Sequence, residues 1–262
     1  MRYVLAALLV AACNRVKSEP PAPAPVHAIE PVRPAPRAIP ETTTQLLTAV
    51  PPSWEATTAE LQLWQRQPGA RWQPVGEAWT AVIGATGSAW GIGLHGETAP
   101  SGRPGPHKQE GDRKSPAGSF ALRGSYGYAT VPPAGTRLPY TPSDDHTLCI
   151  DDPASLHYTT IIDPATTAVD WHSAEQMHRE DALYTWVIDI AHNPSHTPGD
   201  GSCIFLHVWK DASTPTVGCT AMPEAQLVRL LAQLDPAQHP LFVLLPQADY
   251  VALSGPWGLP PR

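Results

Sequence analysis

Short apolar runs punctuated by turn residues recur through this chain, and that pattern limits the fold more than any other feature. The runs cover residues 61–66, 79–84, 91–94, 118–123, 183–191, 203–209 and 241–245. Turn pairs such as Gly87-Ser88, Pro104-Gly105 and Pro198-Gly199 separate them. Two segments read as helices instead. In residues 173–181, Ser173 is followed three residues later by Gln176, a capping-box spacing. In residues 223–234, Leu227, Leu230, Leu231 and Leu234 fall on one helical face, and Pro223 suits the first helical position. Many strands and few helices predict a mainly β domain, an antiparallel β-sandwich or barrel with one or two short helices. Nine Trp and 32 Pro in a chain of low charge agree with a β-rich, loop-rich domain holding aromatic-lined grooves.

The N-terminus reads as an export signal. Met1-Arg2 is a short basic start, and residues 3–12 form an apolar run, too short to span a membrane but suited to a signal-peptide core. The run ends in Val10-Ala11-Ala12-Cys13, which resembles a bacterial lipobox. There Cys13 would carry a lipid and become the first mature residue; an ordinary secretory signal is the alternative. Residues 1–12 are thus read as a lipoprotein signal peptide. Residues 13–40, rich in Pro and Ala, are read as a semi-stiff tether of polyproline II character. Residues 41–250 form one domain with its core at about 78–246, and 251–262 a C-terminal tail. The formal net charge is −7 and no basic patch stands out, which argues against nucleic acid as a partner.

One strand-like run carries chemistry. In Cys203-Ile204-Phe205-Leu206-His207-Val208-Trp209, alternation puts Ile204, Leu206 and Val208 on a core face and His207 on the other. A polar, Pro-containing stretch follows and ends at Thr216-Val217-Gly218-Cys219. Such a loop can return Cys219 to the strand that bears His207. An imidazole beside a thiol can take its proton and leave an ion pair, which turns a weak nucleophile into a strong one. The helix after Pro223 would bring a helix N-terminus near Cys219, favouring a thiolate and a developing oxyanion. Gly218 permits close approach or positive φ. The plain alternative is a buried structural cysteine with an unrelated histidine. Cys203 is a poor rival nucleophile, because it lies four residues from His207 along the strand. If Cys13 is lipidated and Cys219 is the nucleophile, Cys149 and Cys203 remain as candidates for a disulfide in an oxidising compartment.

Three stretches together resemble the L,D-transpeptidase catalytic domain, the YkuD-like family of peptidoglycan cysteine transpeptidases. Gly201-Ser202-Cys203-Ile204-Phe205-Leu206-His207 is similar to the strand of the family's catalytic histidine. Thr216-Val217-Gly218-Cys219 is similar to its Ser/Thr-x-Gly-Cys nucleophile turn. Glu110 to Phe120, through Lys114-Ser115-Pro116-Ala117-Gly118-Ser119-Phe120, is similar to its upstream Lys-Thr-Pro-x-Gly-x-Phe segment. Two positions depart from the common pattern: Val217 stands where a histidine often precedes Gly-Cys, and Ala221 where an arginine follows it. The resemblance therefore points to a divergent branch.

The resemblance implies a YkuD-like fold, with one short helix packed next to the active-site turn, and acyl transfer on wall peptides. Cys219 would attack the diaminopimelate carbonyl of a stem peptide and release D-alanine, with His207 as general base and then acid. Gly218 and Cys219 N–H groups would form the oxyanion hole, with Thr216 in the turn. It implies no cofactor and no metal, peptidoglycan stem peptides as partner, a monomer and acylation by carbapenems; the lipobox-like Cys13 implies a lipid-anchored, periplasm-facing location in the bacterial envelope, on either the inner or the outer membrane. Trp209, Trp171 and Lys114 are candidate substrate contacts, with core packing the alternative for the tryptophans. His107 and Lys108 read as a solvated turn, with lining of the cleft as the alternative. Asp151-Asp152, His157 and His172 lack a metal-ligand spacing. A hydrolytic cysteine amidase or L,D-carboxypeptidase, and a non-catalytic peptidoglycan-binding lipoprotein, are the competing readings.

Overall fold

The computed structural model describes residues 38–262. The expected signal peptide (1–12), lipidated Cys13 and nearly all of the tether lie outside the described residues. Fourteen strands appear in chain order: β1 Gln45–Val50, β2 Thr58–Gln65, β3 Gln73–Pro74, β4 Trp79–Val82, β5 Ser88–Trp90, β6 Ser115–Gly127, β7 Tyr140–Pro142, β8 Leu148–Cys149, β9 Ile161–Ile162, β10 Glu175–Gln176, β11 Trp186–Ile190, β12 Phe205–Val208, β13 Thr220–Met222 and β14 Leu241–Leu244. Helix α1 covers Glu224–Gln233 and α2 covers Gln247–Trp257.

Eight strands close on themselves in the order β1-β14-β6-β11-β12-β13-β4-β2, with β2 pairing back to β1. The domain is a closed β-barrel carrying extra strands and two helices. Most of the ring is antiparallel, but β1 with β14 and β12 with β13 are parallel, where antiparallel pairing was expected. Parallel neighbours cannot be joined by a tight hairpin. Residues 209–219 therefore cross over between β12 and β13. The apolar run of β14 fits its place between β1 and β6, buried throughout and flanked by Pro240 and Pro246, which can donate nothing to a ladder.

Strand β12 separates two apolar clusters. Ile204, Leu206 and Val208 belong to the main core together with Leu227, Leu230 and Leu231 of α1. Phe205 faces a smaller cluster with Cys149, Met177, Tyr184, Val187 and Cys219. The second cluster lies beneath the three-stranded sheet β10-β8-β9.

Several expectations change. Residues 173–181 are not a helix: β10 pairs with β8, the Gln176 side chain donates to the Asp145 carbonyl at 2.9 Å, and the Met177 N–H donates to Thr147. Tertiary partners take the groups that a helix would have used. Residues 91–94 form no named strand, because Gly93 and Gly96 pair in a tight turn just beyond β5. The domain starts earlier than residue 41: Ala38 and Ile39 are buried, and Ser119 Oγ donates to the Ala38 carbonyl at 2.5 Å. Residues 251–262 are no tail. Most of α2 lies there, Leu259 is buried, Trp72 Nε1 donates to the Gly258 carbonyl, and Tyr250 Oη donates to Pro260.

Three histidines are packed into apolar surroundings. His95 faces Trp90, Phe120 and Trp257, His192 faces Phe120, and His207 faces Tyr184. Burial holds each of them down to about 4, whereas an unfolded chain titrates near ~6.5. Between these values the unfolded chain binds more protons, so stability is full above ~6.5 and is lost as pH falls towards about 4. A shift of that size corresponds to about 3 kcal/mol for each ring. Urea midpoints should fall steeply from pH 7 to 4; a midpoint unmoved across that window would contradict neutral burial of these rings.

Candidate active site

The turn that carries Cys219 is built by backbone needs that its sequence meets. Thr216 anchors it, its N–H donating to Ile83, while its Oγ1 accepts from the Gly218 N–H at 3.1 Å and donates to the Cys219 carbonyl at 2.6 Å. Ser115 Oγ, from β6, donates to the same carbonyl at 2.9 Å. Gly218 sits at φ 145°, and a Cβ there would meet the Lys114 carbonyl at 3.2 Å, so both conformation and space call for glycine. The turn leads directly into β13.

Parallel pairing then fixes where the thiol points. Leu206 is opposite Thr220 and His207 opposite Ala221. Cys219 thus falls beside Phe205, one position before the paired residues. The Phe205 N–H donates to Cys219 Sγ at 3.4 Å, and Sγ lies 3.5 Å from the Cys203 carbonyl. His207 is two residues from Phe205 on the same strand face. Its Nδ1 lies 2.8 Å from the Val208 carbonyl. A carbonyl only accepts, so Nδ1 carries the hydrogen and Nε2 is left with its lone pair, the tautomer a general base requires.

Cys219 lies where two cavities meet. One, of about 230 Å³, is lined by Tyr184, His207, Lys210, Thr214, Val217 and Cys219 among others. The other, of about 520 Å³, is lined by Lys108, Glu110, Arg113, Asp151, Gly218 and Cys219 among others. Glu175, Arg179, Val217 and Cys219 border both. Val217 is 70% exposed and forms the rim between them.

The electrostatics differ from the expected ion pair. Burial, and after it the Glu175 carboxylate, push the Cys219 thiol up to about 12. Burial, only partly opposed by the Val208 carbonyl, pushes His207 down to about 4. Both groups are neutral at pH 7. Nor does a helix N-terminus help the thiol, because β13 stands between Cys219 and α1. The site is a buried neutral thiol beside a neutral imidazole.

Other expected positions are spread more widely. The Gly218 N–H is taken by Thr216 Oγ1, so it is not free for an oxyanion. The Cys219 N–H has no acceptor among the described residues, and it is the donor left for that role. Cys149 and Cys203 are joined in a disulfide with Cα atoms 6.0 Å apart. Cys203 lies before the strand, at φ 53°, and not on it. Lys114 turns away, its Nζ donating to the Thr86 carbonyl at 2.5 Å. Trp171 packs edge-on against His157, and neither Trp171 nor Trp209 lines the two cavities. Lys108 follows the cleft alternative and not the solvated turn: it is buried, pairs with Asp112 at 2.5 Å and lines the larger cavity. Among the described residues no group of three or more His, Cys, Asp or Glu is placed to hold a metal ion.

Glu175, Arg179 and Tyr184 are the site residues that sequence reading missed. Glu175 and Arg179 fall in the segment read as a helix, and Tyr184 in a run read only as a strand. No protein-family model matches the chain, and no curated protein matches it.

Proposed function

We propose that the protein is a cysteine acyltransferase of the L,D-transpeptidase type, acting on peptidoglycan stem peptides. The observation that carries this reading is Cys219 at the junction of two cavities, with the His207 tautomer fixed by a backbone carbonyl. Acyl transfer needs one space for the donor and one for the acceptor, both opening on the same sulfur. Lys210 at the smaller cavity and Arg113 at the larger one suit the carboxylates of stem peptides.

In this reading His207 Nε2 takes the Cys219 proton while Sγ adds to the diaminopimelate carbonyl. The Cys219 N–H receives the developing oxyanion. His207 then protonates the amine of D-alanine as the C–N bond breaks, leaving a thioester. An amine resolves the thioester and restores the thiol. The same reading places the protein in the bacterial envelope, exported and tethered through Cys13. Among the described residues no helix is long and apolar enough to cross a membrane.

Incubating the purified chain with disaccharide-tetrapeptide, and following products by mass spectrometry, tests the proposal. Cross-linked dimers with release of D-alanine are the expected products. Tripeptide alone would mean a hydrolase, and no turnover together with no carbapenem adduct on Cys219 would remove the enzyme reading.

A further inference from the structure

Beside the nucleophile stands a carboxylate that the thiol–imidazole chemistry does not use. Glu175 lies in β10, opposite Cys149 in the register. Its Oε1 accepts from Tyr184 Oη at 2.5 Å. Oε2 takes no partner among the described residues, and Glu175 borders both cavities. Tyr184 stands between this carboxylate and Cys219, touching both.

The placement is costly for the first half of the reaction. A negative charge beside the thiol opposes its ionisation. A site tuned only to make a thiolate would carry a neutral or cationic group there. The larger cavity repeats the pattern, since Asp151 and Glu110 also line it and Asp151 Oδ1 is buried with no partner among the described residues. Glu110 is already engaged by the Tyr158 and Ser202 hydroxyls at 2.6 Å. Lys108 is paired with Asp112; Arg179 is held by Asp181 at 2.8 Å, with its charge also reaching Glu175 without a hydrogen bond to it. Glu175 and Asp151 are therefore the carboxylates left to meet a cation close to the sulfur.

We propose that Glu175 is the catalytic base of the second half-reaction: its carboxylate binds the acceptor ammonium in the larger cavity and takes the proton that frees the nitrogen to attack. This rests on the acyl-transfer reading above. Written out, R–NH3⁺ gives one proton to the Glu175 carboxylate and becomes R–NH2. The nitrogen lone pair forms a C–N bond to the Cys219 thioester carbon. The second nitrogen proton passes to His207 Nε2 and on to Sγ as the C–S bond breaks. Amide and free thiol result, and Glu175 returns its proton to solvent. Burial holds the Glu175 carboxyl above the usual carboxylate range, in the direction that favours a base working near neutral pH.

The test is Glu175→Gln in the full chain, with three readouts at pH 7.5: alkylation of Cys219 by iodoacetamide, D-alanine release from disaccharide-tetrapeptide, and the partition of the acyl group between acceptors. Alkylation should hold or speed up, because a charge that raises the thiol is gone. D-alanine release should persist, the acyl group passing to water. Transfer to a second stem peptide should fall by about 10²-fold, the usual contribution of a positioned base. Transfer to hydroxylamine, which is uncharged at this pH and needs no deprotonation, should survive. Unchanged cross-linking in Glu175→Gln would overturn the proposal, and so would loss of alkylation and hydroxylamine transfer together, which would mark Glu175 as structural. If the wild-type chain itself passes the acyl group only to water, the transferase reading fails first.

Discussion

A Cys219→Ser variant is expected to keep the fold and lose acyl transfer by roughly 10³-fold or more, the scale on which enzymes respond to loss of their nucleophile. Serine fits the space, and the turn is held by Thr216 and Ser115 through the Cys219 carbonyl, neither of which touches the side chain. His207→Ala should cost about as much. With the thiol held up to about 12, almost none of it is ionised at pH 7. No thiolate waits for substrate, so attack depends on a base that is present at the moment of bond formation. The double variant should be no slower than either single one, since the two groups act as a unit. Product analysis on disaccharide-tetrapeptide, alongside thermal melts, checks both claims. A His207→Ala chain retaining a tenth of the wild-type rate would mean that another group removes the proton.

The parts of the site legible in the sequence are those whose local rules are strict. Alternation through residues 204–208 assigned the core face correctly, because a strand buried on two sides must sort its side chains. Gly218 was legible because the turn needs φ 145°, and Thr216 because its hydroxyl caps that turn from both ends. The resembling segment at 110–120 brings Ser115 to the turn and Glu110, Gly111 and Arg113 to the larger cavity.

What was missed depends on partners distant in sequence. Residues 173–181 have a helical capping pattern, yet pairing with β8 and the Asp145 carbonyl outcompetes it. Without that pairing nothing places Glu175 and Arg179 near Cys219. The parallel β12–β13 contact was likewise invisible, and with it the reason that β13, not a helix, follows Cys219. Trp171 and Trp209 were proposed on residue type alone, and residue type does not fix direction.

Removing the Cys149–Cys203 bridge should damage the site more than the barrel. The bridge closes a loop of sequence separation 54, for which chain entropy predicts a stabilisation of about 4 kcal/mol. Its position matters as much as its size. Cys149 is the register partner of Glu175, and the Cys203 carbonyl faces Cys219 Sγ, so one covalent link ties the small sheet to the start of β12 on either side of the sulfur. The barrel has its own closed ladder and main core, and the bridge joins none of its paired strands to one another. A Cys149→Ala/Cys203→Ala variant is therefore expected to keep β-type circular dichroism at 25 °C, to melt at lower temperature, and to lose cross-linking by more than the loss of folded protein accounts for. Testing the double variant avoids reductants, which would also protect Cys219 from oxidation. Activity per folded molecule equal to wild type would show that the small sheet holds Glu175 and Tyr184 in place without the bridge.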